Sequence, residues 1–116
     1  MQGKDCRRGD IVLVGLDPTV GREQAKTRPC VVVRTNVASR AQVVVIVPVS
    51  DADGKEPKLP FLVQLKAGDG GLKKDSIANA LQIRTVDESR LFEKWGRLSK
   101  SAVIGINNAL RFALDI

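Results

Sequence analysis

Histidine is absent from the 116 residues, and aromatic side chains are limited to one tryptophan and three phenylalanines. The first absence excludes imidazole acid–base chemistry, and the second weakens any reading that relies on an extended platform for stacking nucleobases. Any catalysis must use other groups. There are two cysteines, Cys6 and Cys30. A chain of this size can build its own core and needs no disulfide framework. Their spacing, without companion histidines, does not match a zinc site, and no metal or cofactor is expected. One exposed thiol near the N-terminus and one buried in a strand are predicted, and neither is assigned a function. Long apolar runs are also missing. Lys4, Asp5, Arg7, Arg8 and Asp10 interrupt the start, and nowhere do the roughly 18 apolar residues of a membrane span follow one another. The expectation is a cytoplasmic protein, not exported and with no membrane association. With no internal repeat and no low-complexity tract, residues 1–116 read as a single domain.

What is present is positive charge. Nineteen basic residues against 13 acidic ones give a net charge of +6, which favours a polyanionic partner through counterion release. Lysine also keeps small domains soluble, so charge alone leaves both readings open and position must decide.

Residues 11–16 form a short apolar run closed by the turn pair Asp17-Pro18. Cys30-Val31-Val32-Val33 is a second, β-branched run, and residues 43–47 are a third, with Pro48 confined to a strand end, an edge or a bulge and Ser50 just beyond it. Residues 36–40 are compatible with a short helical turn. Leu59, Phe61, Val63 and Leu65 alternate with Pro60, Leu62, Gln64 and Lys66 as in a fourth strand, and Gly68-Asp69-Gly70-Gly71 is a turn. Residues 75–86 read as one or two further strands, with Leu81 and Ile83 facing opposite Gln82 and Arg84. The C-terminus carries the long helix, capped by Ser99, with Val103, Ile106, Leu110, Ala113 and Leu114 along one side and Gly105 as a weak point. Short strands followed by one helix indicate an α+β domain on a small, strongly bent, barrel-like antiparallel sheet.

The segment Gly21-Arg22-Glu23-Gln24-Ala25-Lys26-Thr27-Arg28-Pro29 packs an acid, an amide and several cations between apolar strands. A solvated hairpin loop is the ordinary explanation for such polarity. Three details argue for more. Arg28 precedes Pro29 at a strand entrance, where its backbone is biased to an extended form and its planar fork can clasp phosphate. Glu23 lies five residues earlier, close enough for the loop to fold back and set a carboxylate beside that guanidinium. Arg22 and Lys26 add local positive charge.

Arg8-Gly9-Asp10-Ile11-Val12, Leu16-Asp17-Pro18, Gly21 to Gln24 and Arg28-Pro29 followed by valines resemble the MazF/PemK toxins in order and spacing. The resemblance continues through Pro48-Val49-Ser50, Lys58-Leu59-Pro60, Asp75-Ser76 and Gln82-Ile83-Arg84-Thr85-Val86-Asp87 into the helix, and so covers nearly the whole chain. It implies an SH3-like barrel with a terminal helix, a homodimer, sequence-selective cleavage of single-stranded RNA, usually messenger RNA, and an antitoxin partner, which is expected to be acidic; a separate reading has the basic surface meet operator DNA, only through that antitoxin, since the chain lacks a helix-turn-helix pair. The resemblance also implies catalytic roles for Arg28, Ser50 and Glu23 and RNA contacts from Gln24, Lys26, Gln82 and Arg84. For Arg84 the stronger reading from the residues is a surface pair with Asp87 or Glu88, and Ser76 reads equally as a turn cap. Lys26 and Thr27 depart from the pattern, standing where the family often has glycine or other residues, so a different cleavage preference is expected. A non-catalytic RNA- or protein-binding barrel, such as a topoisomerase-binding toxin on the same fold, is the alternative.

Overall fold

A computed structural model describes residues 1–23, 26–35 and 42–116. The three β-branched runs become β1 (Asp10–Gly15), β2 (Thr27–Thr35) and β3 (Val43–Asp51), which lie side by side. Shorter strands follow: β4 (Leu62–Leu65), β5 (Ser76–Asn79), β6 (Arg84–Asp87) and β7 (Leu91–Arg97), and then the helix α1 (Lys100–Leu114). The spatial order is β4-β5-β3-β2-β1-β7, with β6 also paired to β3 and every pairing antiparallel. The predicted turn at residues 36–40 lies outside the described residues.

The central strands are apolar through their middles, Ile11–Val14, Cys30–Val33 and Val43–Val49, because both their faces are covered there. Val12, Val14, Cys30, Val32, Val44 and Ile46 point into one cluster, which β6 and β7 complete with Val86 and Leu91. Ile11, Val31, Val33, Val47 and Val49 point the other way, into a cluster shared with β4, β5 and α1. The path β6-β3-β2-β1-β7 therefore curls around the first cluster. Its two edges are consecutive in sequence and joined by the short turn Glu88–Arg90, so the chain nearly closes a barrel. Register shifts between Val32 and Arg34, and on β1 opposite β7, supply the necessary bends.

Pro48 sits inside β3 rather than at its end. β2 runs along one edge of β3 as far as Pro48, whereas the other edge pairs with β6 through Val43–Ile46 and with β5 through Val49–Asp51. Proline falls at the change of partner, where no ladder bond requires its missing N–H. Ser50 is accordingly a strand residue opposite Ile77, not one just past the strand.

Four other sequence expectations change. Cys6 is buried, not exposed, packing with Val12 and Val44, and its thiol donates to Gly3 O at 3.4 Å. The fourth strand starts at Leu62, because a turn in which Leu62 N–H donates to Leu59 O (3.0 Å) precedes it. Residues 75–86 do not alternate throughout: the Asn79 side chain accepts from Leu81 N–H (3.0 Å) and opens a 3-10 turn, Ala80–Gln82, that leaves Leu81 exposed. β7 was not anticipated, since Phe92, Glu93 and Lys94 are all exposed on an edge strand and show no period of two.

Helix α1 lays Ile106, Ala109 and Leu110 on the second cluster, and Leu114, expected on the same face, is exposed. Gly105 faces Val63, where an added Cβ would come within 3.2 Å, so the residue that weakens the helix also lets it approach β4. At its other end Ser99 caps Ala102 N–H, and the Ser99 N–H and hydroxyl both donate to Asp69 at 2.8 Å. This ties the helix to the 3-10 turn Asp69–Gly71, which presses against β7 so closely that a Cβ on Gly71 would lie 2.5 Å from Trp95 O.

Gly71→Ala and Gly54→Ala separate conformational strain from close approach, since both glycines have positive φ (+78° and +73°) but Gly54 has nothing within 4 Å. In urea denaturation Gly54→Ala should cost about 1 kcal/mol and Gly71→Ala more than about 3 kcal/mol. Equal losses would show that the turn does not press on β7.

Candidate active site

Antiparallel register brings the first two candidates together. Arg28 pairs with Val14, and Cys30 pairs with Pro48. Two residues further along, that register sets Arg28 across from Ser50. Both border a cleft of about 260 Å³, whose walls also include Asp51, Lys73, Lys74, Ser76 and Trp95. Arg28 is half-buried and lines this concave surface rather than being sealed in the core. Ser76 is buried, and its hydroxyl donates to Lys74 O at 2.8 Å, which makes it an anchor for the start of β5.

A second group gathers on the loop between β1 and β2. Leu16 N–H donates to Lys26 O (2.8 Å) and Lys26 N–H to the Asp17 carboxylate (3.0 Å), closing the base of the loop. Lys26 has φ +69°, in the left-handed region that glycine occupies most cheaply. Glu23 accepts from Val20 N–H (2.9 Å), and its other carboxylate oxygen lies 4.0 Å from an Arg84 nitrogen. Arg84 also donates to Leu16 O (3.2 Å), and Gln82 donates to Arg22 O (3.4 Å). Arg90 reaches the carbonyls of Gly15 (3.2 Å) and Asp17. Side chains from the β6 region thus fasten the loop. The expected pairing of Arg84 with Asp87 or Glu88 does not form, because those carboxylates accept from Ser89 N–H and Gly3 N–H, each at 2.8 Å. Gln24 lies outside the described residues.

The two groups adjoin through Cys30. Burial pushes its thiol up to about 12, opposed by the guanidinium charges of Arg84 and Arg28, so both lie within electrostatic reach of one sulfur. On the cleft side, Asp51 is held below the ordinary carboxylate value by Asp53 N–H and then by Lys74, whose ammonium stands 3.3 Å away. That pair is exposed and contributes little stability, but it tethers one cation beside Ser50. Three cations against one carboxylate make the cleft suitable for a phosphodiester.

The family model for PemK-like, MazF-like toxins of type II toxin–antitoxin systems matches residues 7–114. The chain belongs to that family. Among its relatives, the endoribonuclease MazF of Staphylococcus epidermidis is 36% identical over 110 residues, covering 95% of this chain and 92% of the relative. The endoribonuclease EndoA of Bacillus subtilis (strain 168) is 33% identical over 110 residues, covering 95% of each chain. The crystal structure of MazF from Deinococcus radiodurans superposes with a TM-score of 0.79 at 22% identity, over 96% of this chain and 97% of that one. A mycobacterial endoribonuclease in complex with its cognate antitoxin gives 0.74 at 23% identity, over 96% of each chain. These structures share the bent antiparallel sheet with a C-terminal helix, so the expected fold class holds.

The sequence reading did not single out Lys73, Lys74, Arg90 or Trp95. No local signal marks them: two are lysines after a glycine turn, one is an arginine after a serine, and Trp95 stands in the strand whose pattern is illegible. Cys30 also sets a pH dependence. Its thiol has a higher pKa folded (about 12) than its ordinary value of 9.0, so its contribution to stability is complete below pH 9 and lost as pH rises toward 12. Unfolding free energy measured across that window should fall more steeply for the parent than for Cys30→Ala. Parallel slopes would refute the placement of this thiol.

Proposed function

We propose that the protein is a toxin endoribonuclease that cuts single-stranded RNA, messenger RNA in particular, sequence-selectively and without a metal ion. The observation that carries this reading is the placement of Arg28 and Ser50 on one positively charged cleft. RNA brings its own nucleophile. The 2′-oxygen attacks phosphorus, the bond to O5′ breaks, and the products are a cyclic phosphate and a 5′-hydroxyl. Arg28 donates to the non-bridging oxygens as their charge grows, and the Ser50 hydroxyl bonds a further phosphate oxygen. Glu23 is assigned the 2′-proton or the orientation of the arginines, and its contact with Arg84 supports a part in both. O5′ leaves with a proton, which Arg28 helps to supply.

Gln82 and Arg84 hold the loop that carries Arg22, Glu23 and Lys26. We assign Gln82, Arg84, Gln24 and Lys26 to RNA contact along that loop, so that the bases and the loop's shape are read together. An acidic antitoxin would oppose the same cations and close the cleft, and operator DNA would be met through that antitoxin. Among the described residues, no helix is long and apolar enough to cross a membrane, and we place the protein in the cytoplasm with its messenger RNA substrate. It acts as a homodimer, for which the groove between the C-terminal part of α1 and the ends of β2 and β3, lined by Val33, Val45, Leu110, Leu114 and Ile116, offers apolar surface.

Arg28→Ala, folded and in the parent's oligomeric state, should lower RNA cleavage by about 100- to 1000-fold, while the parent continues to cut in EDTA. Electrophoresis of end-labelled RNA measures both. Undiminished cutting by Arg28→Ala would refute the mechanism, and tight binding of intact RNA by the parent would make the protein a binder instead.

A further inference from the structure

We infer that Trp95 and Lys73 form a nucleotide subsite in the cleft, the indole stacking the base next to the phosphate held by Arg28 and Ser50. The inference rests on the proposed RNA substrate and adds a base-binding element to it. Trp95 is the only tryptophan of the chain, half-buried in the middle of β7. It packs against the second core cluster, yet lines the same cleft as Arg28 and Ser50. Beyond that packing, the ammonium of Lys73 stands 5.0 Å from the ring centroid, an exposed cation–π contact of modest strength that a stacking base can displace. Single-strand binding sites combine such a π-face with neighbouring cations that follow the backbone.

The ring is also held in place. Its indole N–H donates to Glu93 at 2.9 Å, fixing its rotation. Its backbone is gripped by the turn Asp69–Gly71, where a Cβ on Gly71 would strike Trp95 O and one on Gly96 would lie 2.9 Å from the Gly70 carbonyl carbon. The same turn leads directly into Leu72, Lys73 and Lys74, so the glycines bring the indole and the two ammonium groups to one wall. When a base takes the ring face, Lys73 is displaced toward the adjoining phosphate, while Lys74 remains near Ser50 through Asp51.

Because Trp95 is unique, intrinsic fluorescence of the unmutated chain reads the subsite directly. The probe is a mixed-sequence single-stranded RNA bearing 2′-O-methyl groups throughout, which removes the nucleophile and prevents cleavage. Binding should quench the emission. With cleavable RNA, Trp95→Ala should raise KM by about tenfold with kcat within about twofold, and Trp95→Phe should recover most of the loss. Lys73→Gln should raise KM and make the slope of log affinity against log salt shallower by about one. If the parent cuts RNA but shows no quench, or if folded Trp95→Ala keeps the parent's KM, the subsite is overturned while the nuclease reading stands. If the parent cuts no RNA, that reading fails, and the quench alone decides whether Trp95 receives a base. The fluorescence measurement stands even where Trp95→Ala does not fold.

Discussion

The change of partner along β3 organises the rest of the molecule. One continuous strand bonds to β2 along one edge while its other edge passes from β6 to β5, with Pro48 at the gap where neither ladder asks for an N–H. The change of partner is where the sheet divides, β6 pairing beside β2 on the one part of β3 and β5 carrying β4 on the other. The nearly closed barrel lies on one side of Pro48, and the cleft lined by Ser50 on the other. Ser50 falls on the open side, two residues past the proline, opposite the strand entrance that carries Arg28.

The cleft and the loop are held by different means. The cleft is framed by backbone: register sets Arg28 across from Ser50, and the glycine turn sets Lys73 and Lys74 against β7. The loop is held by side chains, Arg84, Arg90 and Gln82 donating to its carbonyls. Packed backbone is stiff, whereas exposed hydrogen bonds open locally at small cost. The proposed phosphate site is thus set by strand register and a glycine turn, and the proposed base contacts by side-chain hydrogen bonds. Cys30, buried in the barrel core, lies within electrostatic reach of both Arg28 and Arg84.

Much of the fold was legible because the central strands have both faces covered. Unbroken valine and isoleucine runs mark β1, β2 and β3 directly, and the spacing of Ile106 and Leu110 marks the helix. Where burial is one-sided or partial, the signal failed. β7 carries exposed phenylalanine, glutamate and lysine in succession, and the 3-10 turn at Ala80–Gln82 interrupts what reads as a strand. Cys6 follows Gly3, Lys4 and Asp5 and looks exposed, but the chain folds back and tucks it into the cluster of Val12.

Residue order alone singled out Arg28, Glu23 and the polar loop as candidates for phosphate chemistry, because an arginine before a proline at a strand entrance and a charged loop between apolar strands are local features, while Ser50 came from the family resemblance. It also specified the elements whose apolar faces must be covered. Tertiary structure decided which of those groups meet. The Arg28–Ser50 pairing depends on register across a bent strand, and the Glu23–Arg84 contact spans residues far apart in the chain. Trp95 enters the cleft only because two glycines let a turn and a strand approach within a distance that no side chain would permit. Such contacts come from packing between distant segments, and nothing in the neighbouring residues encodes them.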